Sequence, residues 1–131
     1  MNRIKYVINK EEGAVTAIMT NCTFDVEREV TKKFKGKLLN TCFRLINMNK
    51  LFLPKTISAT TRVHGEDVFD ESLGKEIARK KLLRKYYSLK ARVLKNFFLD
   101  AKEIYLFASD LYSKEQEISE SYDKEWRELD N

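Results

Sequence analysis

Ile57-Ser58-Ala59-Thr60-Thr61-Arg62-Val63-His64-Gly65-Glu66-Asp67-Val68-Phe69-Asp70-Glu71-Ser72-Leu73 is the stretch on which the reading of this chain turns. Ile57, Ala59, Thr61 and Val63 fall on one side of an extended segment and Ser58, Thr60, Arg62 and His64 on the other, the period of two of a half-buried β-strand. Arg62 and His64 therefore share a side. Gly65-Glu66-Asp67 makes a polar turn, after which Asp67 or Asp70 is placed to accept hydrogen bonds from the free amides of a helix that starts here. The acids at 66, 67, 70 and 71 suit the positive end of that helix's dipole.

Downstream, Ala78, Leu82, Tyr86, Leu89, Val93, Phe97, Ala101, Ile104, Ala108 and Leu111 recur at steps of three or four, so they form one stripe and predict one buried helix face. Lys81, Arg84, Lys85, Arg92 and Lys95 gather on one flank of that stripe, which separates the apolar face from a basic one.

Residues 61–78, Thr61-Arg62-Val63-His64-Gly65-Glu66-Asp67-Val68-Phe69-Asp70-Glu71-Ser72-Leu73-Gly74-Lys75-Glu76-Ile77-Ala78, resemble a pattern of small bacteriophage proteins: strand, His, acidic turn, Phe, then Gly-x-x-Ile-Ala on a basic helix. In that pattern a Cys often precedes the His and a Pro follows it. Here those places hold Val63 and Gly65, which argues against a Cys–His metal pair at the strand end. The resemblance implies an accessory protein acting on host machinery in the host cytoplasm, with a counter-defence role. Such a protein captures a phosphate-bearing signalling nucleotide or blocks a nucleic-acid-binding complex.

Composition sets wider bounds. At 131 residues the chain has the length of one domain with a modest core, and 43% hydrophobic with 34% charged residues describes a folding chain with a heavily charged surface. One Pro and four Gly predict long uninterrupted elements, with helix dominant. The net charge of +5 is unevenly spread. Residues 75–102 carry ten Lys/Arg against Glu76 and Asp100, whereas residues 110–131 carry eight acids against three Lys/Arg. Either the acidic tail neutralises the basic helix, within one chain or across an antiparallel dimer, or the basic flank stays free for a polyanion. Cys22 and Cys42 lack metal-ligand spacing, no cofactor motif is present, and no run approaches the eighteen apolar residues of a membrane span. The expectation is a soluble, intracellular protein with no membrane partner.

Towards the N-terminus, Ile4-Lys5-Tyr6-Val7-Ile8 and Ala14-Val15-Thr16-Ala17-Ile18-Met19 flank Lys10-Glu11-Glu12-Gly13, the signature of a β-hairpin. Residues 25–35 read equally as helix or as a strand extending that hairpin, while 37–47 reads as helix and Pro54 ends the segment. Asp100-x-x-Glu103 and Ser113-x-x-Gln116 resemble N-caps and predict a break in the long helix near one of them. Ile104-Tyr105-Leu106-Phe107-Ala108 is apolar nearly all round and predicts self-association, as a dimer or higher homo-oligomer. Ile118, Tyr122, Trp126 and Leu129 make a sparser face that predicts a docked terminal helix. The fold class expected is α+β in a single domain, mainly sheet-forming through residue 64 and helical from 67 onward.

Two surfaces are candidates for binding. Arg62 and His64 at the strand end, with Lys75 and Arg79 one to two turns into the helix, form a possible anion or nucleotide corner at a helix N-terminus. Glu66, Asp67, Asp70 and Glu71 crowd the same place and offer a purely structural pairing instead. The flank of Lys81, Arg84, Lys85, Arg92 and Lys95, with Tyr87 nearby, could track a phosphate backbone as a nucleic-acid-binding regulator does, or simply be a solvated face. A virion or assembly protein is a third reading. His64 is the single histidine, and no nucleophile, P-loop or metalloprotease motif accompanies it, so the expectation is a non-enzymatic binding protein.

Overall fold

The computed structural model describes residues 3–33, 48–63 and 68–130. The helix expected at 37–47, Cys42 and the turn from His64 to Asp67 lie outside the described residues. In chain order the elements are β1 (Ile4–Asn9), β2 (Ala14–Met19), α1 (Asp25–Lys33), a 3-10 turn (Met48–Leu51), β3 (Ile57–Arg62) and α2 (Glu71–Asp130). The three strands form one antiparallel sheet in the order β1-β2-β3, packed against α2, so the architecture is α+β.

Alternation sets the register. Ile4, Met19 and Ile57 lie side by side across the sheet, followed by Tyr6, Ala17 and Ala59 and then Ile8, Val15 and Thr61. These rows supply the face that meets α2, where Val15 and Ala17 are fully buried, while Lys5, Val7, Ser58, Thr60 and Arg62 on the other face are exposed. The hairpin closes at Gly13, whose φ of +60° is left-handed and suits glycine. The Gly13 carbonyl accepts the Val63 amide at 2.9 Å, and an added Cβ would sit 3.3 Å from the Val63 side chain, so this glycine also joins β2 to the end of β3.

Residues 25–33 resolve as helix, not as a further strand. Val26 and Val30 are buried one turn apart, whereas a strand would have carried Arg28 into the core between them. Asp25 and Glu27 at the start and Lys32 and Lys33 at the end complement the helix dipole.

At the start of α2, Asp70 acts as the cap: its carboxylate accepts the Leu73 amide at 3.1 Å and its carbonyl the Gly74 amide at 2.9 Å. The helix crosses the sheet at Gly74, where an added Cβ would lie 2.8 Å from Val15 Cγ2. Ala78, Leu82 and Tyr86 are then buried in the core with Val15, Ala17, Met19, Cys22, Val26 and Leu51, and Leu89, Val93 and Phe97 pack on its edge.

Two expectations for α2 are corrected. The buried stripe does not extend to residue 111: Ala101 and Ile104 are half-buried, and Ala108 and Leu111 are exposed. No break occurs near 100–103 or 113–116 either, because α2 is continuous from Glu71 to Asp130. No Gly or Pro follows Gly74, and pairs one turn apart, Asp110 with Lys114 and Asp123 with Arg127, support the helix locally. Asp100 and Ser113 are therefore interior helix residues. The chain divides into two compact units, Met1–Phe97 and Phe98–Asn131.

Candidate interaction surfaces

The most tightly organised polar group is a triad between the sheet, α1 and α2. Arg3, one residue before β1, reaches the Asp25 carboxylate with both guanidinium nitrogens, at 3.0 and 2.8 Å, and donates to the Asn21 carbonyl at 3.1 Å. The Tyr86 hydroxyl donates to the same carboxylate at 2.6 Å. Burial pushes the Asp25 carboxyl up, but the hydrogen bonds from Arg3 and Tyr86 outweigh it and hold the group below its ordinary value. Burial, aided by the bond to Asp25, pushes Tyr86 up to about 12. Next to it, Lys90 donates to Glu29 at 2.6 Å and lies over the rings of Tyr86 and Tyr87. These groups satisfy one another and clamp α1 and the N-terminal strand to α2, which makes them structural. Cys22, fully buried close by, has its thiol pushed up by burial.

The proposed anion corner is spread over separate places. Arg62 pairs with Glu12 at 3.0 Å in a contact where both side chains are more than half exposed, and with Lys81 it lines a cleft of about 290 Å³ floored by Val15, Phe69 and Gly74. Lys75 pairs with Glu71 at 3.4 Å and lies over the Tyr6 ring. Arg79 borders a different cleft, of about 510 Å³, beside Arg3, Tyr87 and Lys90. The structure thus brings Arg62 together with Lys81, not with Lys75 or Arg79, and His64 lies outside the described residues.

Lys81, Arg84, Lys85, Arg92 and Lys95 are all exposed. Two of them reach β3, Lys81 donating to the Thr61 hydroxyl at 3.4 Å and Lys85 to the Ser58 carbonyl at 3.1 Å. Arg84, Arg92 and Lys95 carry no ion pair among the described residues. The flank is thus exposed, with two of its five cations bonded to β3.

In the unit that begins at Phe98, every residue from Tyr105 to Asp130 is exposed. Leu111, Tyr112, Ile118, Tyr122, Trp126 and Leu129 are among its exposed apolar side chains, with exposures from 44% at Leu111 to 88% at Leu129. The terminal face expected to dock is helical and open.

No family model, no curated protein and no solved structure matches the chain. Its surfaces must be read from their own chemistry. The described helices include none long and apolar enough to cross a membrane.

Sequence reasoning missed the triad, since Arg3 and Asp25 are 22 residues apart and Asp25 and Tyr86 are 61 apart. The available signal was weak: a tyrosine at a core position of a helix needs a partner for its hydroxyl, and an acid one step before the buried Val26 can supply it.

Proposed function

We propose that the protein is a non-enzymatic accessory binding protein that occupies a macromolecular component of host machinery through the exposed part of α2. The observation that carries this reading is the row of large apolar side chains between Tyr105 and Leu129, all open to solvent. Exposed apolar surface on this scale is the mark of a docking site, because leaving it in water forgoes the stabilisation that burial supplies. A non-enzymatic role is supported by the triad, whose perturbed groups are bonded to one another. The host as the source of the target follows the resemblance of residues 61–78 to bacteriophage proteins.

The test is photo-crosslinking in bacteria expressing the full chain, with benzoylphenylalanine placed at Tyr112 and, as control, at Val7 on the exposed face of the sheet. The expected result is a discrete protein adduct from position 112 and none from position 7. No adduct at 112, or an adduct removed by nuclease, overturns the reading.

A second reading, nucleic-acid binding by the basic flank, is favoured by the exposed cations Arg84, Arg92 and Lys95, which have no ion pair among the described residues. A polyanion held there loses affinity by orders of magnitude between about 50 and 200 mM salt. Retention of oligonucleotides at low salt, abolished by Arg84→Glu with Arg92→Glu in a variant that keeps its circular dichroism, is the result expected of that reading. Absence of retention by the unaltered protein excludes it.

A further inference from the structure

The unit 98–130 has a pattern finer than apolar exposure, and it specifies the partner's chemistry. Ala101, Ile104, Ala108, Leu111, Ile118, Tyr122 and Leu129 follow alternating steps of three and four, with places at 115 and 125 that would complete the series. This is the seven-residue repeat of a helix that packs along another helix. Tyr105, Tyr112 and Trp126, seven and fourteen residues apart, line one margin of the stripe and widen it. All of these residues from Tyr105 onward are exposed, and the two missing places hold Glu115 and Glu125.

Those two acids decide who fits. Neither has an ion pair among the described residues, although Asp110 and Asp123 are paired with Lys114 and Arg127. They stand inside the seam, where packing against another helix would strip them of water. A carboxylate in such a position is tolerated when the partner brings a cation to it, and a polar seam residue is a known device for selecting partner and register. The whole segment points the same way: residues 98–130 hold ten acids and four Lys/Arg, a net charge of −6.

A second copy of this chain is a poor occupant by the same measure. Parallel pairing of the two stripes would stack Glu115 on Glu115 and Glu125 on Glu125, and any pairing of the two segments would join one −6 surface to another. The cationic stretch of the chain cannot stand in, because the apolar side of that stretch, with Ala78, Leu82 and Tyr86, is already buried in the core. We infer that the stripe from Ala101 to Leu129 is a docking face for a basic amphipathic helix of another protein, with Lys or Arg in the partner's seam set against Glu115 and Glu125. This rests on the docking reading of α2 and adds the partner's charge and shape to it.

Trp126, the single tryptophan, sits on the margin of the stripe and reports its occupation without a label. The experiment titrates the full chain with two designed helical peptides that share a leucine seam, one with lysine and one with glutamate at the flanking and interrupting positions. Trp126 emission and sedimentation velocity are read at low and moderate salt. The expected result is a monomeric chain that binds the lysine peptide one to one with a blue shift of Trp126, at least tenfold more tightly than the glutamate peptide, and more weakly as salt rises. Glu115→Lys with Glu125→Lys should narrow or invert that preference, and both substitutions fall on exposed positions that leave the core untouched.

Three results overturn the inference. A chain that sediments as a dimer without peptide, with Trp126 already shielded, assigns the stripe to a second copy. Equal affinity for both peptides removes the charge selection. Equal affinity leaves the docking reading of α2 standing, whereas a dimer that covers the stripe removes that reading as well. Binding of neither peptide by a monomeric chain removes the helical partner, and the crosslink at position 112 then decides independently whether a protein docks there at all.

Discussion

One helix carries two apolar stripes of similar composition and opposite fate. Between Ala78 and Phe97 the apolar stripe packs on the core built by the sheet and α1, and its first three members, Ala78, Leu82 and Tyr86, are buried. Between Tyr105 and Leu129 side chains of equal size and greater aromatic content lie open. Periodicity is common to both segments, so periodicity alone tells which side of a helix is apolar, not whether anything covers it. Coverage is decided by what the rest of the chain supplies, and the described sheet supplies one face.

The largest expected effect separates the two segments directly. Leu82 is fully buried and Leu111 is 44% exposed. Leu82→Ala should cost about 2–5 kcal/mol of unfolding free energy, whereas Leu111→Ala should change it by no more than about 0.5 kcal/mol. Urea unfolding followed by circular dichroism measures both, and similar losses would collapse the distinction between the segments.

A smaller effect sharpens the point where helix and sheet meet. At Gly74 a methyl group would lie 2.8 Å from Val15 Cγ2, an atom of a fully buried side chain with no freedom to withdraw. Gly74→Ala should therefore destabilise by about 1–3 kcal/mol through overpacking, against the gain of up to about 1 kcal/mol that alanine gives an unconstrained helix. Adding Val15→Ala should return part of the loss attributable to the clash. If Gly74→Ala alone stabilises the protein, α2 does not approach the sheet this closely.

The third prediction concerns the triad that fastens the buried segment. Asp25 is held below its ordinary value, so the stability it contributes is present above about pH 4 and is lost as acid titrates the group through its folded value. Tyr86 is raised from 10.0 to about 12, so its contribution is complete below pH 10 and disappears as the pH rises through about 12. Tyr86→Phe should cost about 1–2 kcal/mol at neutral pH, the worth of a hydrogen bond to a charged group, and should remove the alkaline loss assigned to this residue. Unfolding midpoints measured from about pH 2 to about pH 12 test both limbs, and an unchanged alkaline limb in the variant would assign it to another group.

The sequence made the sheet and its junction with α2 legible because both are local. Alternation at Ile57–Val63, the glycine at position 13 and the acid at position 70 each act within a few residues. Segment 25–33 stayed ambiguous because valine and threonine suit strands, and the choice fell to tertiary burial of Val26 and Val30. The supposed break at Asp100 or Ser113 failed for the complementary reason: an N-cap residue opens a new helix only where the chain before it leaves helical geometry, and with no Gly or Pro past Gly74 nothing there does. The basic flank was readable as one surface, since five residues of one helix fix their own spacing. Which cation of α2 stands near Arg62 was not legible, because it depends on how the helix lies on the sheet: Lys75 lies over Tyr6 and Arg79 beside Arg3, towards β1, whereas Lys81 lines the cleft with Arg62.

The bond from Lys85 to the Ser58 carbonyl bears on a hazard of the sheet itself. Among the described residues β3 is an outer strand, paired there with β2 only, and such an edge invites a strand from another molecule. Lys85 occupies one of its acceptors and Lys81 bonds the Thr61 side chain beside it, which places two positive charges where an incoming strand would have to lie. Part of the cationic flank thus serves as a guard against edge-to-edge polymerisation. Neutralising Lys81 and Lys85 together would be felt first as lost colloidal solubility, before any change in how firmly the individual molecule is folded.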